Sequence, residues 1–503
     1  MSKFFMGIDI GTFESKGTLV DENARIIAYH ACPHEMEVPH PGYAEHDAEK
    51  TWWGDFCTIS KALIEKSGVD PKDIAGVGTS TIGPCCLPVD EDVNPLRKAI
   101  LYGIDCRAVD EIDYLNNLYG EEAIFDRCGT SLSSQSAAAK ILWIRNKEPE
   151  IYAKTHKFIT GSTYLVAKLT GNYTIDHYTA ATFVPIYSME KLDWEDDLSL
   201  FCRRDQLADC RWTNEIAGYV TEKASAETGL AVGTPVTTGT ADASAEAFSV
   251  GVLDPGDMML MYGSSIFIIH VVQKLTTDKR LWAGPYLFPG TYSVAAGMSC
   301  AGTLTRWFRE NMAADIAAKA EAEGSNVYAE MMKLAADVPA GSEGLTILPY
   351  FSGERTPLND PKAKGMIFGL NLQHTRGHIY KAILEGVGYG INQHFEIFDE
   401  KQMGTKKVMA VGGGTKNPVW LQAVSDISGK QQFVAEVETG AAYGDALIAA
   451  LSTGFYKDCA EVAENIRIAR SVDPNPDVAE AYAPGKARYA DLYQNTKEIM
   501  HRF

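Results

Sequence analysis

Short apolar runs alternate with turn residues from the beginning of the chain. Residues 4–10 and 16–20 each have the length of a buried strand, and the turn residues 11–13 separate them. After a second polar turn at residues 21–23, a third apolar run follows at residues 25–30. Apolar runs of this length between turns predict a meander of three strands.

The first helical pattern follows this meander. Trp52, Phe56, Ile59 and Leu63 recur at the three- and four-residue spacing of one helix face, and Asp47 precedes them as a capping residue. Further apolar runs between turns predict strands at residues 74–78, 85–89 and 99–102. Strands that alternate with helices in this way are typical of α/β proteins.

The same succession of elements begins again near residue 236. Residues 235–238 and 258–262 predict strands, and residues 243–250 between them predict a helix. A turn of small residues at 263–265 then leads into another strand at 266–272. Because strand, small-residue turn and strand occur twice, the pattern predicts a tandem duplication of one α/β domain.

The boundary between the two copies is expected where Gly251, Pro255 and Gly256 interrupt the chain. This places the domains at residues 1–248 and 249–503. At roughly 250 residues, each domain is long enough to build its own hydrophobic core.

The C-terminal half carries the longest helical pattern. Apolar residues at positions 379, 383, 387, 391, 395 and 398 predict one face of a long helix. A strand at 408–411 leads directly into three glycines, and helices are predicted at 420–428 and 442–453. The polar tail from residue 457 to 503 is predicted to be helical, with loops around Pro474, Pro476 and Pro484.

The composition excludes several classes of function. The chain has 503 residues, with 46 Lys and Arg against 66 Asp and Glu, so its formal net charge is −20. A nucleic-acid-binding protein needs a basic surface, which this charge opposes. The ten cysteines include no C-x-x-C pair, and no apolar run reaches the roughly 20 residues of a membrane span. We expect a cytoplasmic protein without nucleic-acid or membrane partners.

Three turns of small residues have the chemistry of phosphate or nucleotide sites. Asp9 ends the first strand, and Gly11 and Thr12 follow it. A glycine lets the backbone approach a phosphate, and the carboxylate can hold a cation or its water shell; the alternative is a plain hairpin turn. Similar chemistry recurs at Gly263, Ser264 and Ser265, and at Gly412, Gly413 and Gly414 with Asn417.

Two polar segments are candidates for catalysis and substrate binding. Asp242 lies where the strand at 235–238 gives way to a helix, which is the strand end where α/β sites are found. It is either an ionised general base or a cap of that helix. Asp105 and Arg107 follow the strand at 99–102 and either contact a polyhydroxylated substrate or form a surface ion pair.

Together these segments resemble the FGGY family of carbohydrate kinases along essentially the whole chain. The most specific match is Ser-Gly-Glu-Arg-Thr-Pro at residues 352–357, followed by residues 365–370 and 378–385. This stretch is similar to the C-terminal signature of the family at nearly every constrained position. The resemblance implies an α/β fold of two actin-like (ribonuclease H-like) domains with a catalytic cleft between them.

The resemblance also implies transfer of the γ-phosphoryl group of ATP to a hydroxyl of a small sugar or polyol, with Mg²⁺. Asp242 would accept the hydroxyl proton, and Asp9 and Asp242 would hold the metal. The residues implied to contact the nucleotide are Gly11, Thr12, Gly263, Ser264, Ser265, Gly302, Gly412, Gly413, Gly414 and Asn417.

Within the family, the chain length and residues 350–357 fit a xylulokinase-like enzyme better than glycerol kinase. Thr81 and Ile82 stand where xylulokinases commonly present a Met–His pair, and we expect them in the sugar pocket. The other residues expected there are Asp105, Arg107 and Asp242.

The expected substrate is a ketopentose, with D-xylulose first. Ribulose, deoxyketoses, erythritol and glycerol are the alternative substrates. A nucleotide-dependent sugar sensor or interaction protein on the same fold is the alternative from another functional class. A homodimer is expected from the habit of the family.

Overall fold

Two mixed β-sheets form the centre of the computed structural model, which describes residues 3–437 and 439–502. Within those residues each sheet has seven strands. The first sheet consists, in spatial order, of Ile216–Tyr219, Pro235–Thr237, Ile74–Thr81, Phe4–Ile10, Glu14–Val20 and Ile26–Pro33, with Thr240–Ala241 beside Ile74–Thr81. The second consists of Trp282–Pro285, Tyr292–Met298, Ile266–Val272, Asp257–Tyr262, Lys407–Val411, Gln432–Ala435 and Ile468–Val472.

The two sheets repeat one topology. Phe4–Ile10 pairs antiparallel with Glu14–Val20 and parallel with Ile74–Thr81. In the second sheet Asp257–Tyr262 pairs antiparallel with Ile266–Val272 and parallel with Lys407–Val411. The α/β architecture and the repeated strand–turn–strand unit predicted from the sequence are therefore confirmed.

Helices and short ladders complete the architecture. The α-helices found in the described part of the chain are Gly54–Ser67, Val109–Tyr119, Glu121–Cys128, Ala137–Lys147, Pro149–Lys154, Gly161–Thr170, His177–Ala180, Glu222–Thr228, Asp242–Ser249, Gly302–Met312, Ala314–Glu323, Val327–Ala336, Arg376–Glu400, Pro418–Ser428, Ala441–Ser452, Cys459–Asn465 and Pro476–Met500. A π-helical turn lies at Ala48–Trp53, and 3-10 turns lie at Pro71–Asp73, Arg204–Gln206, Ser342–Gly344 and Gly413–Lys416. Two-stranded ladders pair Glu45–His46 with Ala99–Ile100, Leu87–Val89 with Lys157–Ile159, Thr174–Asp176 with Asp209–Arg211, Tyr187–Ser188 with Asp193–Trp194, and Thr346–Leu348 with Met366–Phe368.

The first helix forms as its apolar pattern predicts. Asp47 accepts a hydrogen bond from the backbone N–H of Lys50 and caps the π-helical turn that leads into Gly54–Ser67. The predicted apolar face is fully buried: Trp52, Phe56, Ile59 and Leu63. Because full burial stabilises by roughly 1.5–3 kcal/mol for each large apolar side chain, this face holds the helix against the first sheet.

A helix of the C-terminal half packs on the first sheet. Ala441–Ser452 lies across Phe4–Ile10 and Ile74–Thr81, and glycines on those two strands make room for it. A Cβ atom added to Gly7 would lie 2.9 Å from the Cβ of Asp445, and one added to Gly78 would lie 2.7 Å from its carbonyl carbon. Since the two halves share this contact, the boundary at residue 248 stays a prediction.

The C-terminal tail is mostly helical, as predicted, with helices at Cys459–Asn465 and Pro476–Met500, but it departs from the prediction at two places. Ile468–Val472 is an edge strand of the second sheet, and its residues are mostly exposed, so no apolar alternation reveals it. Pro476–Met500 is one helix with Pro484 inside it, where a loop was expected. Tyr482 and Tyr489 of this helix are buried against Tyr389, and this packing outweighs the hydrogen bond that the proline removes. Among the described helices, none is long and apolar enough to cross a membrane.

Candidate active site

The helix Asp242–Ser249 borders two cavities. Asp242, in its first turn, lines one cavity. Glu246, one turn later, lines a separate cleft. Residues four apart lie on one face of a helix, so a carboxyl group from the same face reaches each cavity.

The cavity at Asp242, called the sugar-sized cavity below, has walls suited to a small polyhydroxylated molecule. Side chains that donate and accept hydrogen bonds line it: Thr130, Ser131, Ser133, Gln135, Thr179 and Thr182. Tyr178, Phe267 and Trp282 add flat apolar surface, and Arg355 adds a cation. A concave site with aromatic surface and a few placed polar groups is the usual form of a small-molecule site.

The Asp242 carboxyl group faces this cavity. Its Oδ1 accepts a hydrogen bond of 2.8 Å from the backbone N–H of Ala243. Ala241, not Asp242, occupies the N-cap position, so helix capping does not account for the carboxyl group. Burial, and the negative charge of Glu246, raise the pKa of Asp242 to about 7, whereas its place beside a helix N-terminus predicted a permanently ionised group. A carboxyl group that takes up and releases protons near neutral pH suits a general base.

The cleft at Glu246 lies between the two halves of the chain. The residues from the N-terminal half include Asp9, Lys16 and Glu246, and those from the C-terminal half include Gly412, Gly413, Thr415, Lys416, Gly440 and Ala441. Gly412 has a φ of +88°, and a Cβ there would lie 2.8 Å from the carbonyl oxygen of Tyr262, so the turn requires glycine. The glycine turn therefore forms one wall of the cleft, and Asp9 with Lys16 forms another.

A hydrogen-bond chain of buried groups holds Asp9. The Ser80 hydroxyl oxygen lies 2.9 Å from Oδ1 of Asp9 and 2.6 Å from Oδ2 of Asp445. Ser80 belongs to the neighbouring strand Ile74–Thr81, and Asp445 belongs to the helix Ala441–Ser452. Both sheet pairing and the helix of the C-terminal half therefore position Asp9.

The two carboxyl groups of this hydrogen-bond chain, Asp9 and Asp445, resist ionisation. Burial, then the negative charge of Asp242, raises the pKa of Asp9 well above its usual range. Burial and the charge of Asp9 raise the pKa of Asp445 in the same way. A divalent cation reverses such shifts because it favours the charged carboxylate.

Asp9 fits a cation that is held only in part by protein. Within the described residues, no three His, Cys, Asp or Glu side chains lie close enough together to hold a metal ion by themselves. Mg²⁺ is usually bound by one or two carboxylates, with phosphate oxygens and water as its other ligands. Asp9 in a cleft beside glycine turns matches that donor set.

Models of one family match both halves of the chain. The N-terminal domain of the FGGY family of carbohydrate kinases matches residues 4–249, and the C-terminal domain matches residues 258–453. The chain belongs to the FGGY family of carbohydrate kinases. The predicted family and the predicted kinase class are thereby confirmed.

Several characterised kinases are similar to this kinase over nearly their whole length. A xylulose kinase of Bacillus subtilis is 27% identical over 99% of this chain and 98% of that relative. A gluconokinase of Bacillus subtilis is also 27% identical, over 96% of this chain and 94% of that relative. The crystal structure of a xylulose kinase from Rhodospirillum rubrum superimposes with a TM-score of 0.92 at 29% identity, over 99% of this chain and 100% of that one.

The predicted phosphate turns of the kinase lie at corresponding places in the two sheets. Each joins the two antiparallel strands at the centre of its sheet: Gly11 and Thr12 in the first, Gly263, Ser264 and Ser265 in the second. The Thr12 hydroxyl lies 3.1 Å from the hydroxyl of Tyr102. Gly302 donates its N–H to the carbonyl of Gly263 at 3.0 Å, so its position is one of close packing beneath the second turn. Contact of these residues with nucleotide stays a prediction.

The third glycine turn contributes only some of its predicted residues to the cleft. Gly412 and Gly413 line it, but Gly414 packs on Tyr262 and Trp420, with a Cβ position 2.7 Å and 2.9 Å from their side chains. Asn417 accepts a hydrogen bond of 3.1 Å from the N–H of Trp420 and caps the helix Pro418–Ser428. In this structure Gly414 and Asn417 shape the turn rather than face the cleft.

Thr81 and Ile82 do not line the sugar-sized cavity. Both side chains are 2% exposed, and Ile82 belongs to the hydrophobic core under the first sheet. Gly83 and Pro84, the next two residues, line the cavity instead. The residues that line the cavity therefore lie two positions further along the chain than expected. The reason is that the strand Ile74–Thr81 ends three residues later than its apolar pattern predicts.

Asp105 and Arg107 do not line that cavity either. Asp105 accepts hydrogen bonds from the Arg107 side chain at 2.7 to 3.0 Å and from the N–H of Ala44 at 2.6 Å. Arg107 also donates to Glu45 at 2.8 Å and stacks over the ring of Tyr43 at 4.1 Å. The pair is a buried ion pair that ties the loop after residue 100 to the segment 43–46, so its polar atoms have partners already.

Sequence reasoning missed several residues of the site. Lys16 lines the cleft. It lies four residues beyond Thr12, directly opposite Asp9 on the paired strand, and this position is a sequence signal for the cleft. Arg355 lies within the family signature, and its Nη2 is fixed by the carbonyls of Ile266 and Met298 at 3.1 and 2.8 Å. Asp445 had no local signal, since only the packing of its helix brings it to Ser80.

Proposed function

We propose that this kinase transfers the γ-phosphoryl group of ATP to a hydroxyl of a ketopentose, with D-xylulose as the first candidate. The observation that carries the proposal is that one helix presents Asp242 to the sugar-sized cavity and Glu246 to the glycine-walled cleft. A sugar in the first cavity and a nucleotide in the second would meet beside Asp242 and Asp9. Relatives named as xylulose kinases support the choice of sugar.

Asp242 acts as the general base in this proposal. The free oxygen of its carboxylate accepts the proton of the attacking hydroxyl as the sugar oxygen bonds to phosphorus and the bond to ADP breaks. Its other oxygen stays on the N–H of Ala243, which keeps the group in place. Phosphoryl transfer depends mainly on positioning and on neutralising charge, so one placed base and a few cations suffice.

Asp9 would hold Mg²⁺, and Mg²⁺ neutralises charge on the phosphate oxygens when it is bound. Lys16 lies on the adjacent strand and lines the same cleft, so its ammonium group adds a second positive charge near those oxygens. Arg355 lines the sugar-sized cavity, where its guanidinium group adds a positive charge on the side of the second sheet. The net charge of −20 is compatible with binding a polyanion, because two lysines, Lys16 and Lys416, line the cleft.

The release of ADP from Mg·ATP across a panel of sugars tests the proposal. The panel contains D-xylulose, D- and L-ribulose, gluconate, erythritol and glycerol, and we expect the highest kcat/KM with D-xylulose. A higher kcat/KM for another member would replace the substrate but keep the reaction. Nucleotide binding without any sugar-stimulated ADP release would instead favour a sugar sensor or interaction protein.

Replacing Asp9 by asparagine should weaken the use of Mg·ATP. The variant keeps the shape of the side chain and removes the charge that would hold the cation. We expect the Mg²⁺ concentration for half-maximal activity to rise by about 10–100-fold, the cost typical of disturbing a metal site. Titrating activity with Mg²⁺ at saturating sugar measures this, and Asp21→Asn, an aspartate of the turn after Glu14–Val20, serves as control. An unchanged Mg²⁺ requirement would remove Asp9 from the metal site.

A further inference from the structure

The orientation of a peptide plane decides which way its N–H group points. In a trans peptide the carbonyl of one residue and the N–H of the next point in opposite directions. A turn whose carbonyls are all bonded on one side therefore presents its N–H groups on the other side. Successive N–H groups that point the same way form a binding site for anions.

The first phosphate turn has three successive carbonyls bonded in this manner. Nε2 of His34 donates to the carbonyl of Gly11 at 3.0 Å, and Nε2 of His46 donates to that of Thr12 at 3.1 Å. The backbone N–H of His34 donates to the carbonyl of Phe13 at 2.9 Å. Within residues 3–437 and 439–502, no backbone acceptor faces the N–H groups of Thr12 and Phe13.

Each histidine is itself fixed by a second partner. Nε1 of Trp52 donates to Nδ1 of His46 at 3.1 Å, so Nδ1 is the acceptor and Nε2 carries the hydrogen. Burial, with the nearby His34, lowers the pKa of His46 to about 4, which keeps this ring neutral. Nδ1 of His34 lies 2.9 Å from Oδ2 of Asp55, and the two histidine rings meet edge to face.

The second phosphate turn has the same arrangement with different donors. The carbonyl of Gly263 accepts from the N–H of Gly302, and the carbonyl of Ser264 accepts from the N–H groups of Ala301 and Thr303. These donors belong to the start of the helix Gly302–Met312. The carbonyls of the second turn thus accept hydrogen bonds from the start of a helix. Two of the carbonyls of the first turn accept them from histidine side chains.

We propose that His34 and His46 are positioning residues that turn the N–H groups of Thr12 and Phe13 toward the phosphates of the bound nucleotide. Neither histidine touches the nucleotide or the sugar in this proposal. The inference rests on the proposed function, because it takes the first turn to be a phosphate site. It assigns a role to Trp52 and Asp55 as well, since they fix the rings.

Calorimetric titration of the full-length protein with Mg·ATP, Mg·ADP and AMP, without sugar, tests the inference. His46→Leu removes the donor, and we expect affinity for ATP and ADP to fall about tenfold, the value of one lost hydrogen bond to an ordered turn. Affinity for AMP should change by less than about twofold, because AMP lacks the β- and γ-phosphates. His46→Gln places an amide donor near Nε2, and it should restore most of the affinity.

Steady-state kinetics give a second measurement. The KM for ATP should rise in His46→Leu while the KM for the sugar stays near that of the parent. If His46→Leu does not fold, Trp52→Phe replaces it, because it removes the indole N–H that fixes the His46 ring while an aromatic ring stays in the buried core. His270→Leu is the matched control: His270 is buried in the second sheet, and in the described residues neither ring nitrogen has a partner.

The outcomes separate this inference from the proposed function. Equal affinities for ATP in His46→Leu and the parent, or an equal loss for AMP and ATP, would overturn the positioning role. A parent that binds ATP but phosphorylates no sugar would contradict the proposed function and leave the inference standing. A parent that binds no nucleotide would overturn both.

Discussion

Asp242→Asn should lower kcat by at least about 100-fold, the lower end of the contribution of a general base. Asparagine has nearly the same shape and can still accept the hydrogen bond from Ala243, so the fold should survive. It cannot take up the proton of the sugar hydroxyl at neutral pH. The affinity for ATP, measured by calorimetry, should stay within about threefold because the nucleotide cleft is unchanged.

The pH dependence of the reaction provides an independent sign of the same group. Burial raises the pKa of Asp242 to about 7, and the base acts only when it is ionised. The kcat/KM for sugar should therefore increase with pH up to about 7 and level off above it. Asp242→Asn should lack this rise, since asparagine does not titrate.

Glu385→Gln is the matched control for Asp242→Asn. Burial also raises the pKa of Glu385 to about 7, but this carboxyl group lies outside both cavities and bonds Ser342 at 2.7 Å and the N–H of Gly341 at 3.1 Å. Its replacement should leave the acid limb of the pH profile in place. If Asp242→Asn kept most of the parental kcat on the best sugar, the general base would have to be a different residue.

Much of the fold could be predicted because its signals are local. The helix face of Trp52, Phe56, Ile59 and Leu63 and the two strand–turn–strand units appear as patterns within about 20 residues. Asp242 could be singled out for the same reason, since it stands at the junction of a strand and a helix. Patterns of this kind depend only on neighbours along the chain, so they can be recognised without knowledge of the tertiary structure.

The sequence does not reveal the surroundings that distant parts of the chain give to a residue. Ile82 lies one residue before the cavity wall, and only the length of its strand decides that it faces the core. Arg107 looked free to bind sugar until the fold placed Glu45 and Tyr43 against it. Asp445 lies 365 residues from Ser80, so no window of sequence reveals their hydrogen bond.

Gly78→Ala should destabilise the protein by about 2–3 kcal/mol, near the upper end of the cost of overfilling a packed core. The new Cβ would lie 2.7 Å from the carbonyl carbon of Asp445 and closer still to its oxygen, and helix backbone cannot rotate away as a side chain can. Because the helix Ala441–Ser452 would have to move off the sheet, Asp445 should also lose its hydrogen bond to Ser80, and kcat should fall with stability. Gly76→Ala, two residues earlier on the same strand, is the milder comparison: its Cβ would lie 3.0 Å from the Thr453 methyl group and 3.3 Å from the Ala449 carbonyl oxygen, contacts that a small shift relieves, so its stability should fall by only about 1 kcal/mol. Thermal melts of the two variants beside the parent measure the difference, and equal melting temperatures for both would show that the helix is free to shift and does not hold Asp9 in place.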